Sequence, residues 1–319
     1  MGRNEDPRLI ARVARLYYES HARQNEIAEQ LGLSQAAVSR LLMLGEKEGI
    51  VKIVVNIPRG VYTEMEENLV AKYELKDVVI ADCASEEEGP GMIREIGACA
   101  ASYLENIIRA NDIIGLSSWS SMLISTVNAM APVPRKSGIQ VVQILGGLGN
   151  ASSQNQSAYL ASHLASLVNG TAYFLPLPAV IKTDEVYQTI IQDKSVSDVL
   201  SLFPFVNTAL VGIGALNPSS LLAASGNALS EKDIRILESN GAVGDILLRF
   251  FDQNGNEMDQ SLLTSHVISM EIAQLKKVER AIGIAGGRRK YRAIRGSLRG
   301  RLVNILITDQ FTAQRLLEE

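Results

Sequence analysis

Four short turns rich in glycine and serine could bind a polar small molecule. Each follows an apolar run, and they read GLSSWSS (115–121), GGLGN (146–150), GIGA (212–215) and GGRRK (286–290). At the end of a strand, such a turn exposes backbone N–H groups at a helix start, and these donors together with the helix dipole suit phosphate or hydroxyl oxygens. One turn of this kind can equally be a tight connection without a ligand. Four in one chain favour a binding site.

Side chains in two of these turns strengthen this interpretation. The first turn carries the hydroxyl donors that a sugar or a phosphate needs, at Ser117, Ser118, Ser120 and Ser121. Lys290 follows a double glycine in the first turn of the next predicted helix, where its ammonium can reach an anion held at the helix terminus. We therefore predict that Lys290 binds an anionic group.

The segment around Lys290 is strongly basic. Eight arginines and lysines lie between residues 280 and 301, and no acidic residue separates them. A charge run is usually a solvated face. We expect most of these arginines to be exposed or to lie at a subunit interface, with Lys290 as the exception.

The sequence gives little support for nucleophilic or metal-dependent catalysis. Trp119 stands where the GxSxG nucleophile elbow has its second glycine, and the three histidines have no recognisable serine or acid partner pattern. No group of side chains has metal-ligand spacing. The carboxylates at 86–88 and 184–185 lie in polar segments, where we expect solvent exposure. The sequence thus predicts no catalytic residue, no metal and no cofactor.

The two cysteines, Cys83 and Cys99, cannot form a disulfide framework and match no metal-ligand spacing. We expect both to be buried free thiols. A redox sensor made of these two residues is a weaker alternative.

Residues 24–45 have the spacing of a helix-turn-helix. Gly32 permits the tight turn, Ser34 can cap the second helix, and the small side chain of Ala28 lets the two helices cross closely. The alternative is an ordinary helical hairpin in a globular core, but few hairpins meet all of these requirements at once. The remaining inward-facing residues are Ile27, Leu31, Val38, Leu41 and Leu42.

The outer face of the second helix is polar near its N-terminal end, where such a helix meets base edges in the major groove. This arrangement predicts a domain that binds operator DNA in a sequence-specific way. The predicted DNA-binding residues are Gln24, Ser34, Gln35, Ala36, Ser39 and Arg40.

Further elements complete a small N-terminal domain. Residues 7–20 have apolar side chains at helical spacing and predict a scaffold helix. The β-branched run at 50–58 predicts a short strand or wing ended by its proline. Residues 1–58 contain eight basic and seven acidic residues, and this net charge of +1 is too small for one module to bind DNA tightly. Several copies must therefore be held together.

After a predicted connecting helix at 61–73, short apolar strands alternate with helices from residue 78 onward. This alternation predicts an α/β fold with a Rossmann-like, mostly parallel sheet covered on both faces, and ligands beyond the C-terminal strand ends. The Asn254-Gly255 pair predicts a hairpin that interrupts the parallel pattern. The predicted strands are 78–81, 112–116, 139–144, 171–175, 208–213, 246–251, 281–284 and 302–307.

The composition fits a well-packed globular protein with one small and one larger domain. The chain has 319 residues, 46% hydrophobic content and a net charge of −4, which argues against a protein that coats nucleic acid nonspecifically. Its N-terminus is charged where a signal peptide needs an apolar run, and no stretch approaches the roughly 18 apolar residues of a membrane span. We expect a soluble, cytoplasmic protein with no membrane partner.

Several motifs occur in one order along nearly the whole chain. They are the N-terminal helix-turn-helix, the four turns, VGDILLRFFDQNG (243–255) and AGGRRKYRAIRGSLRGRLVNILITDQFTAQRLL (285–317). Together they resemble the SorC/DeoR-type sugar-binding transcriptional regulators. The last block is the most specific part of the resemblance, because it combines a glycine pair, a lysine and the LVNILITD strand.

The resemblance implies an effector domain similar to sugar-phosphate isomerases and glucosamine-phosphate deaminases, a phosphorylated sugar as inducer, and homotetramers (dimers of dimers) on operator DNA. One departure matters, since Ser118, Trp119 and Ser121 stand where members commonly have Trp, Gly and Thr. The pocket then favours a different ligand, such as a polyol or its phosphate. The implied effector contacts are Ser117, Ser118, Ser120, Ser121, Gly146, Gly147, Gly149, Asp245 and Lys290.

These observations predict a transcriptional regulator of carbohydrate or polyol catabolism, controlled by a phosphorylated sugar or polyol. Its predicted parts are a DNA-binding domain (1–58), a linker helix (59–76) and an effector and oligomerisation domain (77–319). The alternative is an active sugar-phosphate isomerase or deaminase with an appended DNA-binding domain. The related deaminases carry an acid and a histidine after their GIG turn, whereas here that turn continues ALNP (215–218). This difference argues against an enzyme.

Overall fold

The computed structural model describes residues 6–52, 60–133, 136–147, 154–225, 229–259 and 266–318. The chain divides into two compact units, Met1–Pro58 and Arg59–Glu319, each with its own hydrophobic core. None of the helices in the described ranges is long and apolar enough to cross a bilayer.

Three helices build the smaller unit, and they are α1 (Pro7–Tyr18), α2 (Gln24–Leu31) and α3 (Gln35–Lys47). Gly32 ends α2 with a φ of +64°, a left-handed conformation that costs glycine little. The Ser34 hydroxyl accepts a hydrogen bond from the Ala37 N–H at 3.2 Å and so caps α3. The buried core consists of Ile10, Val13, Ile27, Ala28, Val38, Leu41 and Leu42.

The helices and the turn of this unit lie where the sequence predicts them. The residues expected to face inward are buried in the core, except Leu31, which is half-buried against it. Helix α1 packs on α3, and the Tyr18 hydroxyl donates to Glu46 Oε1 at 2.6 Å. Of the predicted wing at 50–58, residues 53–58 lie outside the described residues.

A seven-stranded parallel sheet forms the centre of the larger unit. The strands of this unit are β1 (Asp77–Ala81), β2 (Ile113–Leu116), β3 (Gln140–Gln143), β4 (Thr171–Tyr173), β5 (Val180–Ile181), β6 (Thr208–Gly212), β7 (Gly214–Ala215), β8 (Ala242–Ile246), β9 (Arg249–Asp252), β10 (His266–Val267), β11 (Arg280–Ile284) and β12 (Ile305–Asp309). The large sheet has the order β1-β12-β11-β6-β2-β3-β4, and every neighbouring pair is parallel. This finding confirms the predicted sheet.

Helices cover both faces of the sheet. They are α4 (Thr63–Tyr73), α5 (Pro90–Ile107), α6 (Ser121–Ala129), α7 (Gln154–Leu167), α8 (Asp184–Gln192), α9 (Lys194–Leu200), α10 (Ser220–Ser225), α11 (Glu231–Ser239), α12 (Ile272–Leu275), α13 (Tyr291–Arg299) and α14 (Gln310–Glu318). Successive strand residues point to opposite faces. Val141 and Leu210 therefore join the core under α5 and α6, while Val142 and Val211 join the core under α13 and α14.

A hairpin follows β7 and interrupts the parallel pattern. Strands β8 and β9 are antiparallel, and Leu247 and Leu248 between them have φ values of +58° and +60°. The strand predicted at 246–251 is therefore wrong, because a tight turn of two leucines lies inside it. The predicted turn at Asn254-Gly255 is confirmed, since Gly255 has a φ of +75° and the following chain pairs back onto β9.

Helix α4 occupies most of the predicted connecting segment and packs within the larger unit. Its Leu69 is fully buried, and Lys72 Nζ donates to the Leu316 carbonyl at 2.8 Å. The larger unit thus includes this helix. Its role as a linker to the smaller unit stays a prediction.

The basic run near the C-terminus is not uniformly exposed. Arg288 and Arg301 are exposed, as expected for a solvated face. Arg280 departs from this expectation, because it begins β11, whose five residues are all buried. Its guanidinium donates to Asp112 Oδ1 at 2.6 Å, and only 7% of the arginine side chain is exposed.

Candidate functional site

A cavity lies at the C-terminal ends of β2 and β6, which are neighbours in the sheet. The chain continues from β2 to β3 and β4 on one side, and from β6 to β11 and β12 on the other. The connections that leave these two strands diverge and open a crevice between them. Parallel α/β sheets bind their ligands at such a switch point.

The middle of the turn after β2 holds the turn in place. Ser118 Oγ donates to the Leu145 carbonyl at 3.1 Å, and Trp119 Nε1 donates to the Gly146 carbonyl at 3.1 Å. Both side chains are buried. They therefore join this turn to the segment after β3. The Ser118 hydroxyl already donates its proton to that segment and cannot donate it to a ligand at the same time.

The other serines of this turn line the cavity. Ser117, Ser120 and Ser121 all contribute to its wall, and Ser120 Oγ caps α6 by accepting from the Leu123 N–H at 3.4 Å. Gly212 at the end of β6 makes room for this serine, since a Cβ there would lie 2.8 Å from its Oγ. The wall thus offers hydroxyl groups beside a helix N-terminus, an arrangement that suits the oxygens of a sugar or a phosphate.

Asp245 lines the same cavity from β8. It pairs with Gly214 on β7, where any Cβ would collide with the aspartate Oδ1. The Leu248 N–H donates to its Oδ2 at 3.0 Å. Burial raises the pKa of Asp245 to about 6, although the bond from Leu248 and the charge of Lys290 favour the ionised form. The cavity therefore contains an acceptor for hydroxyl groups that loses its proton near pH 6.

We expect Asp245→Asn to stabilise the empty protein by about 3 kcal/mol at pH 7.5 but only by about 0.5 kcal/mol at pH 4, near the pKa of an aspartate in the unfolded chain. The raised pKa means that the folded state binds the Asp245 proton more tightly, so its contribution to stability is lost as pH rises through about 6. The neutral amide avoids this loss. Urea unfolding of both proteins at several pH values measures the difference in their free energies of unfolding. The contributions of all other carboxylates are the same in both proteins and drop out of this difference. A pH-independent difference would contradict the argument.

Lys290 lines the cavity from the turn after β11. Its side chain is only 9% exposed, and Nζ lies 2.7 Å from Glu88 Oε1. Glu88 also contacts Arg289, with 3.0 Å between Oε2 and Nη2. Burial opposes ionisation of Glu88, but the two cations outweigh it and hold the pKa of this carboxyl below its usual value. The expected solvent exposure of 86–88 is therefore wrong for Glu88, which folds against the basic turn.

The structure brings together five of the nine predicted effector residues. Those that line one cavity are Ser117, Ser120, Ser121, Asp245 and Lys290. Ser118, Gly146 and Gly147 do not line it, and Gly149 lies outside the described residues. As effector contacts, all nine stay predictions.

Gly146 and Gly147 have visible packing roles. A Cβ at Gly146 would collide with the backbone of Ala179, and a Cβ at Gly147 would lie 2.8 Å from both Gln143 Oε1 and Ser157 Oγ. The segment after β3 therefore needs small residues for close packing alone.

Some cavity residues were missed by sequence reasoning. The GIGA turn was expected to bind a ligand, but its residues were not assigned individually, and the leucine turn had no signal because leucine rarely adopts a positive φ. The missed residues include Trp119, Gly212, Asn217, Leu247, Leu248 and Arg289.

Within the described ranges, no cluster of three histidine, cysteine, aspartate or glutamate side chains could hold a metal ion. Cys83 and Cys99 are free thiols, the first buried and the second half-buried. Burial raises the pKa of Cys83 to about 12 and also raises that of Cys99. Because the thiolate is the reactive form, this environment gives the redox-sensor alternative little support.

In the smaller unit, the predicted DNA-binding residues lie at the start of α2 and from the N-cap to the middle of α3. Gln35, Ala36 and Arg40 are exposed, whereas Gln24 and Ser39 are half-buried. Arg40 Nε donates to the Ala36 carbonyl at 3.2 Å. The guanidinium therefore lies along the helix surface with its terminal nitrogens available for a partner.

Comparisons with known proteins agree with this architecture. Residues 60–318 match the family model described as "Putative sugar-binding domain". The chain is 32% identical to the deoxyribonucleoside regulator of Bacillus subtilis strain 168, over 99% of each chain, and 31% identical to the sorbitol operon regulator of Klebsiella pneumoniae, over 100% of each. The crystal structure of the full-length sorbitol operon regulator SorC from Klebsiella pneumoniae has a TM-score of 0.73 at 30% identity, and the match covers 98% of this chain and 99% of that one. The chain belongs to the SorC family of sugar-binding transcriptional regulators.

Membership in the SorC family confirms the resemblance and the fold class predicted from the sequence. It also favours the regulator over the alternative of an active isomerase or deaminase, because the relatives named above are regulators. The cavity from Ser117 to Lys290 lies entirely within the matched sugar-binding region.

Proposed function

We propose that the cavity at the ends of β2 and β6 binds a phosphorylated sugar or polyol, and that this effector controls operator binding by the smaller unit. The observation that carries the proposal is the convergence of three serine hydroxyls, the Asp245 carboxylate and the Lys290 ammonium on one cavity. Serine donors and a carboxylate acceptor suit the hydroxyls of a sugar or polyol. The buried ammonium suits its phosphate.

In this proposal, residues 1–58 are the DNA-binding domain, 59–76 the linker and 77–319 the effector and oligomerisation domain. The protein acts in the cytoplasm as a homotetramer, the assembly that the family resemblance implies. A homo-oligomer is also what a module with a net charge of +1 needs to bind an operator tightly. The effector would prefer one arrangement of the subunits and so change the spacing of the α3 helices. Analytical ultracentrifugation with and without operator DNA tests the oligomeric state.

A thermal-shift screen tests the effector class. The names of the two relatives suggest the pairs D-sorbitol with D-sorbitol 6-phosphate, and 2-deoxyribose with its 5-phosphate. A ligand at a hundred times its dissociation constant stabilises the folded protein by about 2.7 kcal/mol, which such a screen detects. We expect a phosphorylated compound to stabilise the protein more than its free counterpart. Turnover of these phosphates by the pure protein would instead support the enzyme alternative.

We expect Arg40→Ala and Gln35→Ala each to weaken specific operator binding roughly tenfold or more, because each removes a side chain placed to reach base edges. The matched control is Arg12→Ala, an exposed arginine on α1. Gel-shift titrations with operator DNA and with unrelated DNA measure the specific and the nonspecific affinity separately. The α3 variants should lower the ratio of specific to nonspecific affinity, and the control should not. An unchanged ratio for Arg40→Ala would show that Arg40 does not contribute to specific recognition of the operator.

A further inference from the structure

The acidic segment at 85–89, between β1 and α5, lies against the basic turn that carries Lys290. Both carboxylate oxygens of Glu88 are used there, one by Lys290 Nζ at 2.7 Å and the other by Arg289 Nη2 at 3.0 Å. Only 14% of the Glu88 side chain is exposed. Glu88 therefore meets two cations in the manner of a bound anion.

A separate set of contacts anchors this segment. The Arg288 N–H donates to the Glu86 carbonyl at 3.0 Å, and the Glu86 carboxylate pairs with Arg288 and Arg315. The chain also passes close over Gly287, where a Cβ would lie 3.2 Å from Glu88 Cβ. The segment can thus stay attached through Glu86 when the Glu88 carboxylate leaves Lys290.

The Lys290 ammonium is placed to interact both with a ligand in the cavity and with Glu88. It lines the cavity, but in the structure its ion-pair partner is Glu88, which is not one of the residues that line the cavity. Like charges repel strongly at short range where water is scarce. A phosphate held by Lys290 would therefore lie beside an ionised carboxylate, and the two anions would compete for the same cation.

We propose that Glu88 is the internal counter-ion of Lys290 in the empty site, and that the phosphate of the effector must displace it. This inference rests on the proposed function, in which Lys290 binds the phosphate. Glu88 then weakens the binding of phosphorylated ligands and leaves that of neutral polyols unchanged. It is a residue that determines specificity, and its displacement leaves the 85–89 segment attached through Glu86.

Inorganic phosphate is the simplest probe, used with the full-length protein in potassium chloride of matched ionic strength. We expect Glu88→Gln to lower the phosphate concentration that gives half-maximal thermal stabilisation by about fivefold or more, because the competing charge is removed while the side-chain size is kept. The matched control is Glu87→Gln, an exposed neighbour in the same segment. It should behave like the wild type, and D-sorbitol should not distinguish the three proteins.

Three outcomes overturn the inference. They are an unchanged phosphate response in Glu88→Gln, a weaker response, and an equal gain in Glu87→Gln, which would reveal only a general charge effect. Lys290→Met separates this inference from the proposed function. If that variant keeps the wild-type phosphate response, the assignment of Lys290 fails. If it loses the response while Glu88→Gln changes nothing, only the role of Glu88 fails.

Discussion

Lys290→Met is expected to abolish the effector response of operator binding and to leave the operator affinity of the empty protein unchanged. The substitution removes a charge-assisted hydrogen bond in a nearly buried position, where such a bond contributes about 2–3 kcal/mol or more. The affinity for a phosphorylated effector should therefore fall roughly a hundredfold. Operator affinity persists because Lys290 belongs to the larger unit, whereas the proposed DNA-contacting face belongs to α3 in the smaller unit.

The fold should tolerate this change. Lys290 leaves behind Glu88, whose second oxygen still contacts Arg289 at 3.0 Å. Methionine keeps the apolar length of the lysine side chain in the buried position. Lys232→Met on α11, an exposed lysine, is the matched control.

Fluorescence-anisotropy titrations of labelled operator DNA, with and without the phosphorylated ligand selected by the thermal-shift screen, measure both quantities. We expect the wild type and Lys232→Met to respond to the ligand and Lys290→Met to ignore it. A normal response from Lys290→Met would place the phosphate elsewhere in the cavity. A loss of operator affinity without ligand would show that the residue also supports the DNA-binding state.

Much of the fold can be predicted from local patterns. Runs such as those of β6 and β12 are apolar on both faces, and a parallel sheet covered on two sides buries such runs. The glycine turns mark the strand ends, so Ser117, Ser120 and Lys290 could be assigned to the cavity before the structure was known. The positive φ of Leu247 and Leu248 could not be predicted, because no feature of their sequence indicates it.

Such local patterns could not predict which charged residues pair with each other. Glu88 and Arg289 are 201 residues apart in the chain, and no periodicity links them. A run of acids and a run of arginines each look like solvated surface when they are read separately. Only the topology, which puts the segment after β1 beside the turn after β11, shows that Glu88 and Lys290 are neighbours.

The pair formed by Asp112 and Arg280 is another such case. The two side chains are only 4% and 7% exposed, and Nη2 lies 2.6 Å from Oδ1. Asp112 Oδ2 also accepts the Arg109 N–H at 2.7 Å, and Arg280 Nη1 donates to the Ile107 carbonyl at 2.8 Å. The pair thus joins the end of α5 to the start of β11. It lies at the N-terminal strand ends, at the opposite edge of the sheet from the cavity.

Asp112→Asn is expected to lower the free energy of unfolding of the larger unit by about 3–5 kcal/mol, because it leaves the Arg280 guanidinium buried without a counter-ion. Urea unfolding followed by tryptophan fluorescence measures this value for the larger unit, since Trp119 is the only tryptophan of the chain. The control is Arg109→Gln, which removes an ion pair with Glu279 whose side chains are 68% and 51% exposed. That change should cost at most about 1 kcal/mol.

The double variant Asp112→Asn with Arg280→Met decides whether the cost comes from the unpaired charge. Two uncharged side chains of similar size need no counter-ion, so the double variant should recover much of the stability that Asp112→Asn alone loses. Arg280 Nε, a buried donor without a hydrogen-bond partner in the described structure, disappears with the same substitution. If the double variant is as unstable as Asp112→Asn, the two hydrogen bonds to the backbone, and not the ion pair, stabilise this edge of the sheet.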